Sequence, residues 1–75
     1  MSVLSELPRG GTARVKRMAG LDEVSVRLME MGLTPGVEVR CLGAAPLGDP
    51  LEYEVRGYRL SLRRQEAALV EVEFL

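Results

Sequence analysis

The chain contains no histidine and a single cysteine, Cys41. The first absence removes the commonest general base and the commonest transition-metal ligand together. The second excludes an internal disulfide, and the two combined exclude a closed zinc site within one chain. Cys41 lies between Arg40 and Leu42 in an apolar run, where a small core residue is expected and not a nucleophile. Tryptophan is missing, and Tyr53, Tyr58 and Phe74 are the only aromatics, too few for the stacking platforms of single-strand readers. Ten Lys and Arg against eleven Asp and Glu leave a net charge of −1, without the basic excess that drives phosphate-backbone binding. No apolar run approaches the roughly 20 residues of a membrane span, and Met1–Glu6 has neither a basic leader nor a long apolar core. These absences predict a soluble, cytoplasmic protein that is not an enzyme, carries no cofactor or metal, inserts in no membrane and binds no nucleic acid.

What is present is organised around Arg27-Leu-Met-Glu-Met-Gly-Leu-Thr-Pro-Gly36. Gly32 stands where a helix through Leu28 and Met31 needs a positive φ to stop. Pro35 and Gly36 then supply the fixed φ and the positive φ of a type II turn, after which a strand begins at Val37. Upstream, Asp22 is positioned to cap a helix over Glu23–Met31. On that helix Leu21, Val24, Leu28 and Met31 share the core stripe, whereas Val26 and Met29 fall outside both that stripe and the charged side. Arg27 has Glu23 and Glu30 as helical neighbours at i−4 and i+3, which accounts for its charge.

The rest reads as short strands. Leu4 and Leu7 have the spacing of one helical turn, and Pro8-Arg-Gly-Gly11 releases the chain into Thr12–Met18, with Ala13 and Val15 inward and Arg14 and Lys16 outward. Val37, Val39 and Cys41 alternate with Glu38, Arg40 and Leu42. Residues 43–50 form an exposed loop of unusually apolar composition, with Ala44, Ala45, Pro46 and Leu47. Leu51, Tyr53 and Val55 face inward on one arm of a hairpin, Gly57 is its tip, and Tyr58, Leu60 and Leu62 face inward on the other. Residues 63–68 make one helical turn before a last strand with Val70, Val72 and Phe74 inward. A single domain over residues 1–75 results: mainly β, a small five-stranded SH3-like barrel with one short α-helix between strands 1 and 2. An OB-fold is the neighbouring architecture.

The carboxylate pairs Glu52/Glu54 and Glu71/Glu73 point to solvent at strand spacing, and without a loop cage they are expected to solvate the surface and not to hold a metal. Arg59, Arg63 and Arg64 are offset by Glu52, Glu54 and Glu66. Neither glycine-rich stretch ends in the Gly-Lys-Ser/Thr of a phosphate loop.

Four features recur in a known order: Leu4 to Leu7 followed by Pro8 and Gly10-Gly11; the run Arg27-Leu28-x-x-Met31-Gly32-Leu33-x-Pro35-Gly36; Ala45-Pro46-Leu47-Gly48-Asp49-Pro50-Leu51; and Gly57-x-x-Leu60-x-Leu62-Arg63. Together they resemble the FeoA family over essentially the whole chain. The resemblance implies an SH3-like barrel of bacterial ferrous iron uptake that works on the cytoplasmic side with FeoB, a membrane transporter carrying a GTPase domain. It also implies an apolar residue at the place of Leu47. An adaptor that docks on FeoB and regulates it is the expected function. The alternative is a nucleic-acid-binding or metalloregulator-type interaction module; an arginine supplied to the GTPase is a third idea, with no residue marked for it. Leu47 and Pro46, with Val26 and Met29, are the expected partner-binding residues, unless Leu47 covers the two helix residues within the chain. Gly32, Pro35, Gly36 and Gly57 are expected to be structural. Self-association is compatible with the sequence.

Overall fold

The computed structural model describes residues 2–20 and 22–75. In chain order the strands are β1 (Ser2–Val3), β2 (Thr12–Met18), β3 (Glu38–Ala44), β4 (Leu51–Val55), β5 (Tyr58–Leu62) and β6 (Val70–Phe74), with helices α1 (Glu23–Glu30) and α2 (Arg64–Ala67) and a 3₁₀ turn at Leu4–Glu6. They form one antiparallel sheet in the order β1-β6-β2-β3-β4-β5, curled around a shared core. Leu4, Leu28, Leu33, Val15, Val39, Tyr53, Val55, Leu62, Val70 and Val72 are its largest fully buried hydrophobic members. This is an SH3-like barrel, with six strands where the sequence predicts five. The extra one, β1, is two residues long, too short to show an alternation, and exists through pairing with β6. The helix therefore lies between the second and third strands.

The helix stop folds as its residues dictate. Asp22 Oδ1 accepts from Ser25 N–H at 3.0 Å. At the other end Gly32 N–H donates to Met29 C=O and Leu33 N–H to Leu28 C=O, the paired bonds of a Schellman motif, with φ of +112° at Gly32. Leu28 and Leu33 are both buried, which supplies the apolar contact that motif favours. Val37 N–H then closes a turn onto Thr34 C=O, with Pro35 second and Gly36, at φ +92°, third. That turn is docked on β2: Gly36 N–H donates to Val15 C=O and Val15 N–H to Val37 C=O.

Strict alternation fails where the sheet bends. On β2 it places Arg17 on the same face as Ala13 and Val15, but a register shift against β6 between Val15 and Arg17 exposes both Lys16 and Arg17 and turns Met18 onto the core. A second shift between Cys41 and Gly43 bends β3. On α1 the buried residues are Ser25 and Leu28, with Val24 and Met31 partly buried against the core. The small Ser25 thus joins the expected stripe; Leu21 lies outside the described residues. Two inward assignments are corrected. Tyr58 is half exposed, because its hydroxyl reaches out to the Met31 carbonyl, and Phe74 is half exposed at the end of β6.

Candidate functional site

Residues 45–48 make a tight turn in which Gly48 N–H donates to Ala45 C=O at 2.7 Å, Pro46 is second and Leu47 third. Proline sets φ for the second position, and Gly48, at φ +90°, redirects the chain. Below the turn Ala45 N–H donates to Pro50 C=O at 2.9 Å, and the Asp49–Pro50 peptide is cis. The N-terminus of α2 clasps this loop from outside. Arg64 N–H donates to Asp49 Oδ1 at 3.0 Å and the Arg64 guanidinium to Gly48 C=O at 2.9 Å. What reads in sequence as an irregular loop is an anchored turn, and Leu47 at its tip is 97% exposed.

Leu47 therefore does not cover Val26 and Met29, and that alternative is excluded. Val26 is 46% exposed and Met29 half-buried on α1. The helix and the loop are tied to the same short element: Arg27 pairs with Glu66 of α2, while Arg64 of α2 holds the loop. Arg27 is thus not neutralised by Glu23 and Glu30, since a tertiary partner displaces both helical neighbours. Glu66 also accepts from Arg63 N–H at 2.8 Å. No spacing in the sequence couples positions 27 and 66, or 48 and 64, so the clasp was invisible there.

Other charged groups close on one another. Arg17 meets Glu71 at 2.7 Å, Lys16 meets Glu73 at 3.2 Å, and Arg14 meets Glu38 at 3.1 Å. The Glu71/Glu73 pair is thus occupied by cross-strand cations. Among the described residues no three His, Cys, Asp or Glu side chains gather closely enough to hold a metal, and no helix is long and apolar enough to cross a membrane. In the core, Tyr53 donates from its hydroxyl to Leu4 C=O at 3.2 Å. Burial pushes this phenol well above its ordinary range; the Cys41 thiol adds to the shift and the Arg64 guanidinium opposes it.

A shallow cleft of about 230 Å³ opens beside the Leu47 loop, lined by Leu7, Cys41 and Leu51 with Arg9 and Arg64 at its rim. A larger hollow of about 390 Å³ lies at Ser2, Lys16, Val72, Glu73 and Phe74.

Comparison with known proteins places the chain as a whole. Residues 3–74 match the FeoA domain. Over 72 residues the chain is 40% identical to the Fe(2+) transport protein A/Fe(2+) transporter FeoB fusion protein of Porphyromonas gingivalis, a match covering 96% of this chain and 8% of that protein. The solution structure of iron(II) transport protein A from Clostridium thermocellum superposes with a TM-score of 0.91 at 40% identity, over 97% of this chain and 45% of that one. FeoA of Stenotrophomonas maltophilia, crystallised with zinc and described as a procaryotic SH3 domain protein, gives 0.87 at 38% identity over 97% and 91%. The chain spans under half of the first two of these proteins. With the family match running over residues 3–74 of an SH3-like barrel, this chain belongs to the FeoA family.

Proposed function

We propose that this protein is a ferrous iron uptake accessory domain that docks on the cytoplasmic, GTPase-bearing part of a FeoB-type transporter and regulates it. The observation that carries the reading is Leu47: an aliphatic side chain 97% exposed at the tip of a turn anchored at Gly48 and Asp49. Such a residue gains nothing from water, and burial against a partner is worth roughly 1.5–3 kcal/mol. Anchoring lowers the ordering cost of binding, as a preorganised loop does. The choice of partner is supported by the relative in which the two proteins are one polypeptide, an arrangement that keeps them at high effective concentration. Val26 and Met29 on α1 are a second apolar patch that this reading assigns to the partner, and Pro46 stiffens the loop tip.

Leu47→Asp tests the reading. It should abolish co-purification with the transporter and impair ferrous uptake, with the thermal midpoint nearly unchanged because the side chain touches no core. Retained capture by the transporter would refute the Leu47 site. A nucleic-acid role predicts instead tight binding to random RNA or DNA that weakens steeply with salt.

A further inference from the structure

We infer that the cleft beside the Leu47 turn is a peptide site, which takes an aliphatic side chain of the partner flanked by a carboxylate. This rests on the docking reading and adds the chemistry of the other half of the contact: a knob, Leu47, next to a hole. Leu7, Cys41, Ala44 and Leu51 make most of its lining apolar, and Ser5 is the uncharged polar residue among them. Its volume, about 230 Å³, falls below the roughly 300–1,000 Å³ of small-molecule pockets and suits one side chain.

The rim decides the charge. Arg9 and Arg64 both line the cleft, and among the described residues neither has a carboxylate within ion-pair distance of its guanidinium. Arg64 spends one N–H on the Gly48 carbonyl, leaving other donors of its planar fork unused. The Arg9 stem lies along Gly43, which presents no Cβ there. Arginines 14, 17 and 27 have found glutamates, whereas Arg40, Arg56, Arg59 and Arg63, like Arg9 and Arg64, pair with no carboxylate among the described residues; what sets Arg9 and Arg64 apart is that both line one cleft with apolar residues. Two cationic side chains lining one apolar opening favour an anion there, and a carboxylate is the protein group that pairs with a guanidinium. The larger hollow offers no such vacancy, because its Lys16 and Glu73 are paired with each other.

The probe is the acetylated, amidated tripeptide Glu-Leu-Glu, with Lys-Leu-Lys and inorganic phosphate as controls, titrated into the ¹⁵N-labelled protein. The acidic peptide should shift the amides of Cys41, Gly43 and Leu51 with half-saturation at about 1 mM, and Arg9→Glu should weaken it at least about tenfold. Arg9 is exposed, so this variant keeps its fold; its thermal midpoint verifies that. No shift up to about 10 mM, or equal shifts with the lysine peptide, would overturn the inference. Phosphate acting as strongly as the peptide would also overturn it, making the site a small-anion site. The docking reading fails separately. If the wild type binds the acidic peptide but captures no transporter, the cleft stands and the partner assignment falls. If Leu47→Asp loses the transporter while Arg9→Glu retains it, docking stands and the cleft is not part of it.

Discussion

At Gly32 two independent constraints coincide. Its φ of +112° lies outside the range that L side chains adopt, and a Cβ there would run into the Tyr58 hydroxyl, which itself donates to the Met31 carbonyl. The sequence pattern exposes the first constraint and hides the second. Gly32→Ala should cost about 1–2 kcal/mol from backbone strain, and displacement of Tyr58 adds the loss of its bond to the helix end. A double-mutant cycle separates them: in a Tyr58→Phe background Gly32→Ala should cost measurably less by chemical denaturation, and equal costs would mean that strain alone acts. The opposite situation holds at the hairpin tip. Arg56, at φ +51°, and Gly57, at φ +85°, are the central residues between Val55 and Tyr58, the signature of a type I′ turn, in which arginine is a poor first residue. Arg56→Asn should stabilise the domain by about 0.5–1 kcal/mol. Arg56→Gln, neutral but equally disfavoured at positive φ, should give no gain, and a gain there would point to charge and not to backbone.

The element on which the proposed docking rests is the loop between β3 and β4, held by α2, a four-residue helix. Arg64→Ala removes the donor to the Gly48 carbonyl, and since that bond is solvent-exposed the stability cost should stay below about 1 kcal/mol. The local effect should be larger. Amide exchange at Leu47 and Gly48 should accelerate while that of β3 and β4 does not, and affinity for the transporter should fall through the added cost of ordering the turn. Unchanged exchange at Gly48 would mean that the loop is held by its own Ala45–Gly48 bond. The same element shows how far the sequence reaches. Asp22, Gly32, Pro35 and Gly36 act through their own φ, caps and turns, so the helix, its stop and the following strand were legible from residue type. Alternation located the other strands until a bulge intervened at Arg17, and it could not foresee β1, which is made by its partner. The apolar Leu47 was visible as a misfit in a loop. The clasp by Arg64, the Arg27–Glu66 pair and the cleft at Arg9 were not, because each joins positions far apart in the chain whose proximity the fold alone creates.

At the scale of the molecule, the sheet begins at β1 and ends at β5, and these two strands do not pair. What spans the opening is the segment after β1, where Leu4 and Leu7 are buried and the Tyr53 hydroxyl, from β4, donates to the Leu4 carbonyl. A closed barrel has no such opening to bridge, and a core this thin makes each bridging contact a sizeable share of the total stability. That carbonyl also accepts from Leu7 N–H at 3.1 Å, so Tyr53→Phe leaves no orphaned acceptor and should cost about 0.5–1.5 kcal/mol at neutral pH. The alkaline range is more diagnostic. Burial raises the Tyr53 phenol above its ordinary value, so on raising the pH the unfolded chain releases this proton first, near pH 10. Stability from the protonated phenol is therefore fully present below about pH 10 and declines above it, with a limiting slope of about 1.4 kcal/mol per pH unit until the folded phenol ionises too. Unfolding free energies of the wild type and Tyr53→Phe, measured from pH 7 to about pH 12, should start with the wild type more stable and converge or cross above about pH 10. All other ionising groups are common to both proteins and cancel in the difference. Parallel curves over that interval would mean that the folded and unfolded phenols titrate alike, and that Tyr53 does not seal the opening between the sheet's two ends.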